Sequence, residues 1–416
     1  MASQANGNRA AETFMRSADD LKASLADMSE DDRMRIVLRM YELLIDVESP
    51  WDTYMRLYLS EASFLQRLSL VPAVLAALET FGSLQLFEKW NDNGNKPATE
   101  TELAQWVANP CDPALLRRLL RLLAANRLIK INDTGKFEPT RFFAQLADNN
   151  YKHMLHFHHT FTVPMLHHMP MFLKKTNFVN PTRSRDTMFD SAFNWEGGLF
   201  GYLEKYPEEG KGFNVVQKLS TSSQARWTSV YPCHTLLESD ANLPLLVDVG
   251  GSIGQDLKPF VDKYPETAPR LYLQDLPSVI ADEEACQVKG INKVAYDFFK
   301  PQPIKHARAY YMHHILHDWP DKIVLKILEN QKVAMKPGYS KILIHDHVLD
   351  DSRPVHPHAA SYDITMMAFG SAKERTEREW RELIDSVGLK IVKIWRSPSS
   401  VQGIIEVEFV EGTAKL

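Results

Sequence analysis

Four positions in the C-terminal half of this 416-residue sequence combine residue type and place in a way that suggests chemistry: Asp248, Asp275, Asp297 and His317. Asp248 stands in VDVGGSIGQDL, where an apolar run meets a turn containing Gly250, Gly251 and Gly254, and a helix is expected near Gln255. Glycines let backbone approach a ligand, and a helix N-terminus favours a negative group. A tight strand-to-helix connection uses the same glycines, so this turn alone leaves both readings open. Asp275 in LYLQDLP, followed by Leu276, ends the next run, about 20 residues beyond the turn, where an acid suits ribose hydroxyls. Asp297 ends the third run in AYDFF; Phe298 beside it can cover a ring whose amino group the acid bonds. Three consecutive strand ends of this kind describe an adenosine pocket at the carboxyl edge of a sheet.

His317 follows the fourth run, in YYMHHILHDWPDK. Any single His is commonly a satisfied polar residue near a core, but an imidazole with a pKa of about 6.5 at this edge suits removal of a hydroxyl proton. Asp318 and Trp319 read as fixing the loop and packing the next helix. Asp346, between His345 and His347, ends the fifth run, and Glu374 in GSAKERTEREW opens a helix. Carboxylates beside an imidazole orient the ring and stabilise its charged form. Histidine is concentrated elsewhere too: of 15, six lie at 153, 156, 158, 159, 167 and 168. On a helix His153 and His156 share a face, as do His156 and His159. They are either a solvated or interfacial polar stripe or hydrogen-bond donors over a substrate carbonyl. No acid accompanies them in sequence, which argues against a metal site. His356 and His358, beside Pro354 and Pro357, read as loop residues.

The elements that must position these groups are legible in outline. From Leu245 onward, the runs LLVDVG, RLYLQD, KVAYDF, ARAYYM and KILIHDHV alternate with amphipathic segments, which predicts an α/β domain with a mostly parallel sheet. LKIVKIW and GIIEVEFV lack a helix between them and are expected to pair antiparallel at the sheet edge. Residues 1–30 read as a polar arm. Helical patterns follow near 31–47 and 51–70, and over 71–90 with a break at Gly82. Thr99 and Glu102 have capping-box spacing, and Asp112-Pro113 opens a helix whose Leu115, Leu119, Leu122 and Leu123 share a face. Strands in LIKIN and KFEPT complete a winged-helix outline, giving units of 31–150, a helical 151–240 and 241–416.

Composition sets the outer bounds. Forty-eight Lys plus Arg against 53 Asp plus Glu leave a net charge of −5, with 44 % hydrophobic and 24 % charged residues. No apolar stretch approaches the roughly 18–20 residues of a membrane span, and the opening lacks the apolar core of a secretory signal. Three scattered Cys make neither a disulfide framework nor a zinc cluster, so a cytoplasmic protein is expected.

In order, VDVGG, LQDLP, HDWPD, MKPGYSKILI and KERTEREW resemble the S-adenosylmethionine (SAM)-dependent small-molecule O-methyltransferases of plants and fungi, the caffeic-acid type, over about residues 40–412. The resemblance implies a Rossmann-like seven-stranded SAM-binding domain behind an N-terminal helical, winged-helix domain that forms a homodimer. It implies SAM held by Asp248, Gly250, Gly251, Gly254, Asp275, Leu276, Asp297, Phe298 and His313, the last where Lys or Arg is common. His317 would be the base, with Asp346 and Glu374 as its carboxylate partners. Ser252 replaces a third glycine and Asp346 a longer Glu. The substrate would be a hydroxyl of a small aromatic or polyketide/alkaloid metabolite, in a pocket including His156, His158, His159, Trp227, Met366, Met367 and Phe369. Met and aromatic stripes are also ordinary core. Some fungal members of the family keep SAM as a bound cation and catalyse dehydration and pericyclic closures of pyridone alkaloids, using His from the helix over the pocket; the His-rich 153–168 segment fits that alternative. A winged-helix nucleic-acid regulator would use Arg117, Arg118, Arg121, Arg127, Lys130 and Lys136. The negative net charge and that helix's apolar face speak against it, so neither a nucleic-acid nor a membrane partner is expected.

Overall fold

The computed structural model describes residues 2–24, 72–126, 128–222, 226–281, 288–350, 357–397 and 402–409, with isolated positions between 27 and 40 and at 352 and 355. The chain divides into two compact units, Met1–Arg67 and Leu68–Leu416. In the first, Ala2–Ser24 is a helix rather than a polar arm, since Ala, Arg, Glu and Lys favour helix even without an apolar face. The expected helices near 31–47 and 51–70 lie largely outside the described residues.

The second unit begins with helices Pro72–Ser83 and Leu86–Asp92, separated just after Gly82. Thr99 and Glu102 form the reciprocal cap of Glu100–Trp106, and Asp112 caps Pro113–Ala125. That last helix buries Leu116, Leu120 and Leu123 and exposes Leu115, one residue out of register with the sequence expectation. With leucines around most of its circumference, two stripes satisfy the helical period, and packing decides between them. The hairpin of β1 (Ile129–Ile131) and β2 (Phe137–Pro139) follows. Within this region Arg117 meets Glu100 at 2.9 Å and Lys136 meets Glu102 at 3.2 Å, which neutralises part of its basic character.

The His-rich segment is one nearly continuous helical run: Asn149–Phe157, a π-helical turn His158–Thr162, and Val163–Lys175. His153 and His156 precede the wider turn and keep their shared face, whereas the spacing from His156 to His159 crosses into it. Helices Met188–Phe193, Gly198–Lys205 and Pro207–Ser222 continue this layer.

The sheet contains β3 (Leu246–Val249), β4 (Leu271–Asp275), β5 (Asn292–Ala295), β6 (Ala309–His313), β7 (Lys341–Leu349), β9 (Lys390–Arg396) and β10 (Gln402–Glu408), in the order β5-β4-β3-β6-β7-β10-β9; the short β8 (Arg375–Thr376) adds to β7. Strands β3 to β7 are parallel. β10 runs antiparallel to both β7 and β9, so the final pair is antiparallel as expected, with β9 outermost. Every residue of the central β3 is buried, the mark of a strand covered on both faces. The chain winds outward through β3, β4 and β5 and then returns to β6 on the other side of β3. Order reverses there, and such a reversal leaves a crevice at the carboxyl ends of the strands. His358 falls in the first turn of helix Pro357–Gly370 rather than in a loop, consistent with Pro at a first helical position. His356 lies outside the described residues. Among the described residues, no helix is long and apolar enough to cross a membrane.

Candidate active site

The glycine turn after β3 is shaped by contacts beneath it. Gly250 and Gly251 N–H both donate to the Gln274 carbonyl, at 2.8 and 3.0 Å, and Ser252 N–H donates to Asp275 Oδ2 at 2.8 Å. These three amides bind β4, so the glycines serve space rather than donors. A Cβ on Gly251 would stand 2.4 Å from Asp248 Cγ, and one on Gly250 would stand 2.5 Å from Ile315 Cδ1. Gly250 and Gly254 have positive φ. Ser252 does too, at 51°, a left-handed conformation in which an L side chain costs about 1–2 kcal/mol. The helix begins at Leu257, two residues beyond Gln255. Asp248 lies under the turn, 1 % exposed, instead of on the cavity wall. Burial, with Asp256 and Asp275 nearby, raises its pKa well above the carboxylate range.

A cavity of about 860 Å³ opens at this crevice. Gly250, Ser252, Asp275, Leu276, Asp297, Phe298 and His313 line one side, where four adjacent strands end. Helix Pro207–Ser222 contributes Lys211, Phe213, Asn214 and Gln217 to another. Trp319 meets Phe298 and Phe299 edge-on, with centroids 6.1 and 5.0 Å away, and stacks on Phe200 at 5.7 Å. Ser252 Oγ and Gln255 Oε1 are buried here without hydrogen-bond partners among the described residues. Unsatisfied buried polar atoms beside acids and aromatic rings suit a polar nucleoside. The cavity also has the size of a small-molecule site.

His317 sits in the turn Leu316–Asp318 that follows β6, 3 % exposed. Its Nδ1–H donates to Glu374 Oε1 at 2.7 Å, while Nε2 lies 3.5 Å from Asp318 Oδ1. Burial disfavours the charged ring, but Glu374 and Asp318 outweigh burial and raise the pKa to about 10. Glu374 moves oppositely: burial opposes its charge, yet His317 and His347 hold it well below the usual range. Burial pushes Asp318 up to about 7. Asp318 also borders the cavity, so the residue read as a loop anchor shares the proton site.

Asp346 does not bond His317. Both its oxygens are buried without a hydrogen-bond partner among the described residues, and burial raises its pKa to about 6. Side chains alternate along β7, placing Asp346 on the face of Ile342, Ile344 and Val348 and His347 on the other. It is His347 whose Nδ1 lies 3.0 Å from Glu374 Oε1. The three groups His317, His347 and Glu374 lie within 4.8 Å, but the 2.7 Å separation within them is that of a hydrogen bond. A further residue, Arg375, was not evident from sequence although it adjoins Glu374. Its buried guanidinium donates to the Leu316 and Trp319 carbonyls, at 3.0 and 2.7 Å, and to Asp321 at 3.0 Å. It therefore clamps both ends of the turn that carries His317.

The expected substrate residues lie elsewhere. Trp227 is core: it stacks on Phe260 at 5.6 Å and donates to the Asp256 carbonyl at 2.8 Å. Its position on a short helix beneath β3 cannot be read from sequence. Met366, Met367 and Phe369 join a cluster with Phe157, Phe161 and Phe189 instead of lining the cavity. His156 bridges two acids from other helices, Glu79 at 3.2 Å and Glu209 at 3.4 Å, which raises its pKa. His158 faces Thr162 at 3.2 Å, and burial lowers its pKa to about 4. His159 is exposed. None of these lines the cavity. Because the bridges of His156 are half exposed, His156→Ala is expected to change stability by less than about 1 kcal/mol in denaturant melts and to leave turnover intact.

A Rossmann-like sheet with an adenosine-shaped crevice and a carboxylate-held histidine at its edge is the architecture of SAM-dependent methyltransferases. A family model described as an O-methyltransferase domain matches residues 176–390. O-methyltransferase mfmE of Annulohypoxylon moriforme is 42 % identical over 381 residues, covering 91 % of each chain. The solved complex of LepI with SAM superposes with a TM-score of 0.82 at 27 % identity, covering 96 % of this chain and 100 % of the other. A pericyclic reaction enzyme gives 0.81 at 27 % identity, with the same coverage. The chain belongs to the O-methyltransferase family, and its cofactor is S-adenosylmethionine.

Proposed function

We propose that this enzyme methylates a hydroxyl of a small aromatic or polyketide/alkaloid metabolite, with His317 Nε2 accepting the hydroxyl proton. The carrying observation is the buried Glu374–His317 pair: Glu374 takes Nδ1–H at 2.7 Å and leaves Nε2 as the exchangeable nitrogen. Gly250, Ser252, Asp275, Leu276, Asp297 and Phe298 would hold SAM, which supplies an electrophilic methyl group when bound. Arg375 fixes the turn that carries the base, and aromatic residues line the cavity beside it. A homodimer through the N-terminal helices accompanies this reading. The test is incubation of labelled SAM with a phenolic panel. S-adenosylhomocysteine should appear in step with methylated product.

A base must be neutral to act, whereas Glu374 and Asp318 hold His317 charged up to a pKa of about 10. Turnover should therefore rise with pH along a limb well above 6.5. Removing the Glu374 charge favours the neutral ring, so Glu374→Gln should move that limb roughly 1–3 units toward acid. Rate–pH profiles of both proteins check this; an unmoved limb assigns it to another group.

A second reading uses the same scaffold for pericyclic chemistry. The match to a pericyclic reaction enzyme across 96 % of the chain supports it. A charged His317 would then donate a hydrogen bond to a substrate carbonyl instead of accepting a proton. Turnover without S-adenosylhomocysteine would establish this reading over methyl transfer.

A further inference from the structure

Five imidazoles gather where β6 ends beside the second half of β7, and proton removal at His317 does not use most of them. His313 stacks on His345 at 3.9 Å and lies 4.3 Å from His314, which stacks on His317 at 4.8 Å with the planes 20° apart. Of these, His313 and His314 border the cavity. His314 is 7 % exposed and adopts a left-handed φ of 54°. Its N–H is tied to the His345 carbonyl at 3.3 Å, which holds this conformation against its cost.

The hydrogen bonds around His314 fix its tautomer. Asp256 Oδ2 accepts from His313 Nδ1 at 2.9 Å, and Gln402 Oε1 lies 3.3 Å from His313 Nε2. Burial opposes charge on His313 while Asp256 favours it and raises the pKa, and Gln402 presents Oε1 to His313 Nε2, so that nitrogen donates. Gln402 must then turn its oxygen to His313 and its NH₂ to His314 Nε2, which it contacts. His314 itself is kept neutral, first by burial and then by the surrounding imidazoles. A neutral ring that accepts at Nε2 carries its hydrogen on Nδ1. Among the described residues Nδ1 has no partner, and the ring forms part of the cavity wall.

We propose that His314 determines substrate specificity by donating Nδ1–H to an acceptor oxygen beside the hydroxyl that meets His317. The preferred substrates then belong to one chemical class: phenols or enols with a carbonyl ortho or peri to the reacting hydroxyl. Such hydroxyls are ordinarily bonded to their own carbonyl and are poor nucleophiles. A donor that competes for the carbonyl frees the hydroxyl for proton removal. The inference rests on His317 as the hydroxyl's partner, and it is tested without requiring methyl transfer.

The measurement is equilibrium binding of an ortho-acetylnaphthol and the matching ortho-ethylnaphthol to protein loaded with S-adenosylhomocysteine. The wild type should prefer the acetyl compound by about tenfold, one well-made neutral hydrogen bond. In His314→Phe the ratio should fall to near one. His314→Asn should recover part of it, since Asn tolerates positive φ and keeps an amide donor. Gln402→Leu, which frees the tautomer without touching the ligand, should lower the ratio too, and it decides the matter if the Phe variant fails to fold. Equal binding of the two compounds by the wild type, or a ratio unchanged in His314→Phe or Gln402→Leu, overturns the proposal. Acetyl preference without any S-adenosylhomocysteine formed from SAM would refute methyl transfer while retaining the His314 subsite.

Discussion

Replacing His317 by Ala should lower kcat by about 10²–10⁴-fold, the usual contribution of a positioned acid–base group. Affinity for the cofactor should stay close to wild type, because the residues proposed to hold it sit at the ends of β3, β4 and β5. The comparison of the two quantities is what makes the experiment informative. Removing the ring leaves Glu374 buried, still 3.0 Å from His347 Nδ1, so one charge partner survives. Some loss of stability is expected, since a buried carboxylate loses its shorter hydrogen bond. If cofactor affinity fell in proportion to turnover, His317 would be a structural residue that orders the turn. Calorimetric titration with S-adenosylhomocysteine beside steady-state kinetics separates the outcomes.

Gly251→Ala should abolish useful cofactor affinity, lowering it by 100-fold or more, about 2.7 kcal/mol. The added Cβ would lie 2.4 Å from Asp248 Cγ and 2.6 Å from Leu273 Cδ1. Both neighbours are 1 % exposed and belong to paired central strands, so neither can step aside. The turn must lift instead. Lifting it breaks the amide bonds to Gln274 and the Ser252 bond that fixes Asp275, the acid expected to meet the ribose. Overpacking of this kind also costs about 1–3 kcal/mol of stability. Gly201→Ala is the matched control, because it sits in a helix with nothing within 4 Å of the added Cβ. Binding isotherms and denaturant melts of the two variants should diverge sharply.

The parts of this molecule that were legible in sequence are those in which local chemistry and periodicity decide the structure. The strands of the sheet are short runs rich in β-branched, Leu or Tyr residues and bounded by turns, and their terminal acids could be placed at one edge because parallel strands end together. The capping residues Thr99 and Asp112 were legible for the same reason: their partners lie three and two residues away. What could not be read depends on neighbours distant in the chain. Glu79 and Glu209 reach His156 from 77 and 53 residues away, converting an apparent pocket stripe into a bridge between helices. The choice of His347 over Asp346 beside Glu374 follows from which face of β7 meets the loop before β8, a fact of packing. Trp227 looked like a pocket aromatic only because nothing local shows that it lies against Phe260 and Tyr311. Ser252 was noticed as a departure from glycine, but its left-handed backbone and unpartnered hydroxyl required the structure.

The insertion of β10 between β7 and β9 bears on how the active enzyme comes into being. β10 is the last strand among the described residues, yet it occupies an interior place and carries Gln402, which meets both His313 and His314. Until residues 402–408 emerge and pair, β7 offers a bare hydrogen-bonding edge to any other strand in reach, a known route to aggregation. The imidazoles of the pocket also lack the amide that sets their protonation. Deleting residues 402–408 should therefore leave the β7 edge uncovered and the His313–His314 pair without its shared amide.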